Sequence, residues 1–192
     1  MPISKLRPTK RASAAIAGVL AVAVGGYVTV KNGEKVPPAV VLAATYVAGP
    51  WEGIETTAYW DAYGGVWTVC RGETKGVKKG DRYTVEQCEA MFIDRLANDF
   101  YRPIVRCAPE LASAPVSVQA SMLSGAYNFG VGAWCKSTAS RHIRSKSWRS
   151  ACEAQTAFNR AGGKVLPGLQ RRREMGDATR IGEGELCVTG LE

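Results

Sequence analysis

The stretch WEGIETTAYWDAYGGVWTVCRGET, residues 51–74, decides how the rest of the chain is interpreted. It is too rich in turn residues for one helix and too irregular for one strand, so it predicts a short loop-and-hairpin unit. Among its glycines and aromatic residues it carries Glu52, Asp61 and Thr68. A hydrolase that uses two carboxylates needs polar groups held on such a compact unit. We therefore take residues 51–74 as the candidate active site.

The composition bounds the class of protein. A chain of 192 residues has one domain's worth of material and enough for a real core. Its formal net charge of +8 favours a polyanionic partner such as nucleic acid, an anionic membrane surface or an acidic cell wall, with plain solubility as the simpler explanation. Six cysteines, all beyond residue 69, are scattered singly. This pattern indicates disulfides in an oxidising compartment more than zinc ligands.

The N-terminus indicates export. Nineteen uncharged residues, 12–30, follow a basic region that contains Lys5, Arg7, Lys10 and Arg11. The uncharged segment just reaches the length needed to span a bilayer, so we predict a transmembrane-like helix. Six of its residues are Ala and three are Gly, so it should enter a membrane but hold there weakly. A cleavable signal peptide with an A-x-A site at residues 21–23 is the competing interpretation, and a permanent anchor is the third.

The remaining chain predicts a small β-unit followed by five or six helices, which is an α+β fold with a larger helical lobe. We expect a helix to open at Pro37-Pro38 and to end near Gly49-Pro50, with Glu52 just beyond its end. A capping box at Thr84 and Gln87 opens the next helix. The expected further bounds are an end before Pro103, helices over 117–127 and 138–143, one from Ser147 to Gly162-Gly163, and one from Pro167 to about Thr179.

Counting residues sets several chemistries aside. The single histidine, His142, is too few for a zinc hydrolase, and no Walker or GxGxxG loop is present, so we expect no metal and no cofactor. Carboxylates remain. Glu52 lies in sequence close to aromatic residues, whose contact would favour its protonated form, whereas Asp61 on a glycine-rich turn would stay ionised. Thr68 is placed to hydrogen-bond an attacking water. Either carboxylate taken alone would be interpreted as a solvated surface charge, but the combination favours catalysis.

The run EG-x-E-TTAY-x-D…G-x-WT-x-C-x-GET resembles the catalytic stretch of phage-type lysozymes, the endolysins of glycoside hydrolase family 24. Further matches are YTVEQC at 83–88, AYNFGVGAWCKST at 126–138 and AGGKVLPGLQRRRE at 161–174, so the resemblance spans roughly residues 37–187. It implies a lysozyme-like fold and a muramidase that cuts peptidoglycan between N-acetylmuramic acid and N-acetylglucosamine. It also implies Glu52 as general acid, Asp61 as the positioning or stabilising carboxylate, and Thr68 as the water-holding residue. The family usually has five residues between the Asp and the Thr, and here six intervene. Thr68 therefore departs by one residue from the position in which the family holds its water-holding threonine.

The N-terminal segment is similar to the signal-anchor-release segments of some endolysins. This likeness implies insertion of residues 12–30 into the host inner membrane, inactivity while tethered, and refolding in the periplasm after release. The segment has no cysteine, so a thiol-exchange switch like that of some relatives is not expected. We expect residues 1–35 to form the basic region, anchor segment and linker, and residues 36–192 to form the catalytic domain. The expected partners are peptidoglycan and the inner membrane, not nucleic acid, and the protein is expected to be a monomer.

Three further expectations concern cysteines, arginines and function. Six cysteines allow fifteen connectivities, and we predict Cys70–Cys88, Cys107–Cys135 and Cys152–Cys187, which would fasten the β-unit, the middle helices and the C-terminus. The run at 171–173, three arginines, either meets anionic wall polymer or lipid or is a solvated helix face. The alternative to an enzyme that lyses the host cell for phage release is a non-catalytic, cationic protein that binds the wall or disrupts membranes.

Overall fold

The computed structural model describes residues 5–30, 33–62 and 64–192. Within these ranges the helices are α1 (Lys10–Ala21), α2 (Pro38–Leu42), α3 (Ala48–Glu52), α4 (Val85–Arg95), α5 (Arg102–Cys107), α6 (Val116–Phe129), α7 (Val131–Cys135), α8 (Thr138–Arg144), α9 (Trp148–Gln155), α10 (Pro167–Arg173) and α11 (Glu183–Thr189). The strands are β1 (Val28–Thr29), β2 (Lys35–Val36), β3 (Glu55–Asp61), β4 (Val66–Cys70), β5 (Arg160–Ala161) and β6 (Lys164–Val165). Two π-helical segments, Ala43–Val47 and Leu96–Tyr101, and a 3-10 turn, Pro109–Ser113, lie between helices.

The strands pair as three separate antiparallel hairpins, and the helices form the larger lobe. This confirms the predicted mixed fold with a small β-unit near its start. Helix α6 lies at the centre of the helical lobe, where its residues 117–126 are all buried. Helices α2, α9 and α11 pack around it. A continuous buried shell on every side explains why α6 is apolar or small at nearly every position rather than along one stripe.

The helical run that carries Glu52 is longer than the sequence predicted. It continues from α2 through the first π-helical segment into α3 and ends at Glu52, not near Gly49-Pro50. Proline is tolerated because the backbone breaks at Val47 (φ −126°, ψ −71°) and α3 restarts there, which leaves Pro50 in a first turn where its missing N–H is not needed. A Cβ at Gly49 would lie 2.2 Å from the Ala44 carbonyl oxygen, so the widened turn requires glycine at this point.

The second long helical run repeats this solution. Thr84 and Gln87 form the predicted capping box at the start of α4. The predicted end before Pro103 is wrong, because α4 passes through the second π-helical segment into α5, which reaches Cys107. Pro103 again occupies a position in the first turn of the restarted helix. In both runs a π-helical segment precedes the proline, so the proline falls in the first turn of the next helix and does not end the helical run.

The C-terminal third differs from the expectation in three places. Helix α9 ends at Gln155, and Gly162-Gly163 turns the hairpin between β5 and β6 instead of ending a helix. Helix α10 ends at Arg173, short of the predicted end at Thr179. Helix α11 was not predicted at all, and every one of its seven residues is buried.

The N-terminal segment is not the single helix predicted over residues 12–30. Helix α1 ends at Ala21, and the chain then reverses at Gly25-Gly26, between the bridged pair Val24 and Tyr27. Across the described ranges, the helices all fall short of the length and apolar character that crossing a membrane requires. Three side chains of α1 are buried against the helical lobe: Ala12, Ala15 and Val19.

All three predicted disulfides are present. Cys70–Cys88 joins the β-unit to α4, Cys107–Cys135 joins α5 to α7, and Cys152–Cys187 joins α9 to α11. The described part of the chain contains no free cysteine. The last bridge fastens α11, the helix that the sequence did not reveal, to the central lobe.

Candidate active site

Glu52 is the last residue of α3, and its backbone is fixed on both sides. Gly53 ends the helix with φ +70°. Arg71, at the end of β4, donates through one guanidinium nitrogen to the carbonyl oxygens of Gly49 (2.5 Å) and Gly53 (2.8 Å). Its other terminal nitrogen lies 2.5 Å from a carboxylate oxygen of Glu89 on α4. The β-unit therefore holds the backbone that presents Glu52, while 22% of that side chain remains exposed.

The carboxylate of Glu52 has a buried cationic partner. An Nη atom of Arg172 lies 2.7 Å from Oε1 of Glu52, an ion pair whose angles fall outside hydrogen-bond geometry. The Nε of the same guanidinium lies 3.2 Å from Oε1 of Glu183. Arg172 is 4% exposed, so it joins a partly exposed carboxylate to a fully buried one.

Glu183 is the centre of a buried polar cluster. It accepts from Arg172 and Arg173, from the Ser124 hydroxyl at 2.7 Å and from the Gln155 amide at 3.0 Å. Burial by itself would raise the pKa of Glu183, but the charges of Arg173 and Arg172 and these hydrogen bonds outweigh it, so the pKa lies below its ordinary value. Glu183 is therefore ionised in the folded protein at neutral pH.

This cluster corrects the expectation for the arginine run. Arg172 and Arg173 are buried and paired with carboxylates, and only Arg171 is exposed. Sequence reasoning missed Arg172, Arg173 and Glu183 as parts of the site. The available signal was that adjacent arginines on a short helix must point in different directions, and one direction leads into the core.

Asp61 and Thr68 share one face of the β3–β4 hairpin. Tyr59 pairs with Thr68 and Asp61 pairs with Val66, and directly opposed residues of an antiparallel pair project to the same side. Of the six residues between Asp61 and Thr68, the last two, Val66 and Trp67, already belong to β4 and pair with Asp61 and Trp60. The longer spacing therefore leaves the pairing of Thr68 with Tyr59 in register.

The two side chains differ in environment. Asp61 is half-buried, and its carbonyl oxygen accepts from the Gly65 N–H at 2.8 Å to close the turn. Thr68 is 3% exposed, and among the described residues its hydroxyl oxygen has no hydrogen-bond partner. A buried hydroxyl without a protein partner is uncommon in folded proteins. Such a group is available to hydrogen-bond a water or a substrate.

The aromatic residues expected around Glu52 have other partners. Trp60 and Trp67 pair on the hairpin face opposite Asp61, with ring centroids 5.7 Å apart in an edge-to-face arrangement. Trp51 lies under the guanidinium of Arg180 at 3.8 Å and donates its ring N–H to a backbone carbonyl. The Trp51 ring is thus held by a cation–π interaction with Arg180.

Tyr127 and Asn128 hold the site together. The Tyr127 hydroxyl donates to the Arg71 carbonyl oxygen, and Asn128 accepts from Arg173. Burial, followed by the negative charge of Glu52, raises the pKa of Tyr127 to about 12, so the phenol stays neutral. From the sequence, Tyr127 and Asn128 could either contact substrate or cap a helix, and the contacts observed here are structural. Within residues 5–30, 33–62 and 64–192, no three His, Cys, Asp or Glu side chains are grouped to hold a metal ion.

The sequence profile of the phage lysozyme family matches residues 49–176, which include Glu52, Asp61, Thr68 and Arg172. The chain belongs to the phage lysozyme family. It is 31% identical over 162 residues to the SAR-endolysin of Enterobacteria phage P21, covering 80% of this chain and 90% of that protein. It is 37% identical over 127 residues to the SAR-endolysin of Pseudomonas phage phiKMV, covering 64% and 76%.

Solved structures show the same fold. The active form of the P1 phage endolysin Lyz superimposes with a TM-score of 0.65, covering 94% of this chain and 95% of that one, at 22% identity. The muramidase domain of SpmX from Asticaccaulis excentricus gives a TM-score of 0.59 at 25% identity, covering 79% and 95%. The fold of this phage lysozyme is therefore lysozyme-like, as the sequence predicted, and the chain is a muramidase of the endolysin type.

Proposed function

We propose that this phage lysozyme hydrolyses the β-1,4 bond between N-acetylmuramic acid and N-acetylglucosamine with Glu52, Asp61 and Thr68 as its site residues. The substrate is peptidoglycan, and the purpose is host cell lysis and phage release. One observation carries the assignment of roles: Glu52 combines a partly exposed carboxylate with a buried cationic partner, Arg172, at 2.7 Å. The non-catalytic alternative is not favoured, because it gives this pair no purpose.

Glu52 is the general acid. Its protonated carboxyl group gives a proton to the glycosidic oxygen as the bond to the leaving sugar breaks. The side chain becomes a carboxylate in that step, and the guanidinium of Arg172 stabilises the new negative charge. The backbone contacts of Arg71 limit the movement of Glu52 during the transfer.

Asp61 acts on the sugar ring and Thr68 on the attacking water. Asp61 provides a carboxylate that stabilises the positive charge that develops on the sugar ring. The Thr68 hydroxyl holds the water that attacks the anomeric carbon; the proton that this water loses passes to solvent, and the Glu52 carboxylate takes up a proton from solvent before the next turnover. Their common face on the hairpin supports this division of labour, because both groups then approach the substrate from the same side.

The N-terminal region is proposed to act before catalysis. We assign residues 1–35 to a basic region, anchor segment and linker, and residues 36–192 to the catalytic domain. Residues 12–30 enter the inner membrane first, and the released monomer then acts in the periplasm. The similarity to SAR-endolysins supports this order. The contact of Arg11 with Glu185 at 2.6 Å supports a released state in which α1 is packed on the catalytic domain.

The catalytic proposal is tested with the purified full-length protein on cells whose outer membrane is permeabilised. Glu52→Gln should abolish lysis while its melting temperature stays near that of the parent. Glu55→Gln is the matched control, because Glu55 is an exposed glutamate three residues further along. Full lysis by Glu52→Gln would overturn the assignment. Muropeptides released by the parent should carry N-acetylmuramic acid at their reducing ends, as mass spectrometry would show.

The order of insertion and release is tested by the mass of the periplasmic protein. We expect a soluble species that still contains Met1 and residues 12–30. A species that begins at residue 24 would instead establish cleavage by signal peptidase at the A-x-A site. Blue-native electrophoresis of the same sample checks the proposed monomer.

A further inference from the structure

We propose that Glu183 is a positioning residue for the muramidase reaction, because it orients Arg172 toward Glu52 and offsets the surplus positive charge beside it. The proposal rests on the proposed role of Glu52 as general acid. Glu183 lies outside residues 51–74, in the first turn of α11, and has no exposed surface with which to touch substrate. Its influence on catalysis must therefore pass through another side chain.

The contacts of Glu183 use both of its oxygens. Oε1 accepts from Arg172, Arg173 and Ser124, and Oε2 accepts from Gln155. These donors come from α10, α6 and α9, so four helices including α11 meet at one carboxylate. A carboxylate with this many donors is fixed in position, and so is every side chain that it holds.

Arg172 transmits that position to Glu52. Its Nε contacts Glu183 while one Nη contacts Glu52, so a single planar group spans the two carboxylates. The fork of a guanidinium is rigid, and fixing one edge fixes the direction of the other. Without Glu183 the Arg172 side chain would keep its burial but lose the partner that sets its orientation.

The charges of the cluster also balance. Arg172 and Arg173 contribute two positive charges, and Glu183 and ionised Glu52 contribute two negative ones. Protonation of Glu52 leaves one surplus positive charge, which the acid form tolerates. If Glu183 were neutral, the cluster that contacts Glu52 through Arg172 would hold two surplus positive charges, and they would favour the ionised form of Glu52 over the protonated form that the reaction requires.

The other groups around the two carboxylates do not supply this balance. From α6, Tyr127 and Ser124 are neutral at the pH of the reaction. From α9, Gln155 is neutral, and on α11 itself Glu185 is paired with Arg11 of α1. Beside the backbone of Glu52, the charge of Arg71 is paired with Glu89.

The test is the pH profile of lysis by Glu183→Gln, measured at constant ionic strength. We expect the alkaline limb of the profile to move to lower pH by roughly 1–2 units, the usual effect of one nearby charge on a carboxyl group. Glu185→Gln is the matched control, because Glu185 is equally buried two residues away but its cationic partner is Arg11. Its loss should lower the melting temperature without moving the limb.

A second variant restores the balance. In Glu183→Gln combined with Arg173→Gln, one charge of each sign is gone, and the limb should return toward the parental pH. If Glu183→Gln fails to fold, Arg173→Gln alone should move the limb to higher pH. A profile of Glu183→Gln that superimposes on the parent, or no shift with Arg173→Gln, would overturn the inference. Inactivity of Glu52→Gln alongside that result would leave the proposed function standing, whereas activity of Glu52→Gln would reject the function itself.

Discussion

Replacement of Thr68 by valine is expected to lower the lytic activity while leaving the stability of the protein nearly unchanged. Thr68 is 3% exposed, and within the described ranges its hydroxyl has no hydrogen-bond partner. Valine has nearly the same shape. The replacement removes no hydrogen bond to another described residue, so Thr68→Val should change the free energy of unfolding by less than about 1 kcal/mol. For a chain of this size the melting temperature should shift by less than roughly 4 °C.

The lytic activity should change far more than the stability. If the Thr68 hydroxyl holds the attacking water, valine removes one hydrogen bond from the transition state, and the lytic rate should fall roughly 10–100-fold. Urea unfolding followed by circular dichroism gives the stability, and turbidity of permeabilised cells gives the rate. Thr57→Val is the control, because Thr57 lies exposed on the same strand unit, and it should change stability by less than about 0.5 kcal/mol.

Two results would refute this reasoning separately. A loss of more than about 1 kcal/mol of stability in Thr68→Val would mean that the hydroxyl makes a hydrogen bond on which the fold depends. Full activity in Thr68→Val would mean that Thr68 does not hold the water, and the extra residue in the Asp61–Thr68 interval would then mark a real change of role. The two measurements are independent, so each half of the argument can fail alone.

Three further outcomes are expected. Gly49→Ala places a methyl group 2.2 Å from the Ala44 carbonyl oxygen, so it should cost about 1–3 kcal/mol in urea unfolding and lower the lytic rate, whereas Gly132→Ala, where space is open, should not. Replacing both Cys152 and Cys187 by alanine should cost about 2–5 kcal/mol in guanidinium unfolding, because it frees the C-terminal helix. The lowered pKa of Glu183 means that its stabilisation is present above the unfolded value of about 4.3 and is lost as pH falls through the folded value, so melting temperatures should fall below about pH 4.

Local patterns predicted what depends on neighbours in sequence. The hairpin of residues 51–74 was predicted because its strand and turn residues act over a few positions, and the capping box at Thr84 because it spans three. The paired face of Asp61 and Thr68 follows from the same register. These features needed no knowledge of distant packing.

The misses share a different cause, which is tertiary compensation. Pro50 and Pro103 stop isolated helices, yet here two π-helical segments and the surrounding lobe let the chain continue. Helix α11 has only seven residues and all of them are buried, so its sequence lacks the amphipathic pattern by which a helix is predicted. Glu183, the buried partner of Arg172, is eleven residues away on another helix. At that separation sequence periodicity carries no information about the contact.

The position of Glu52 and its electrostatic environment likewise depend on different parts of the chain. The backbone of Glu52 is set by nearby features, namely the end of α3 and the two carbonyl contacts of Arg71. Its electrostatic environment is set by Arg172 and Glu183, which come from the last third of the chain. On the proposed role of Glu52, the general acid is complete only when the C-terminal helices have docked. We therefore expect the Cys152–Cys187 bridge, which fastens α11 to α9, to support catalysis as well as stability.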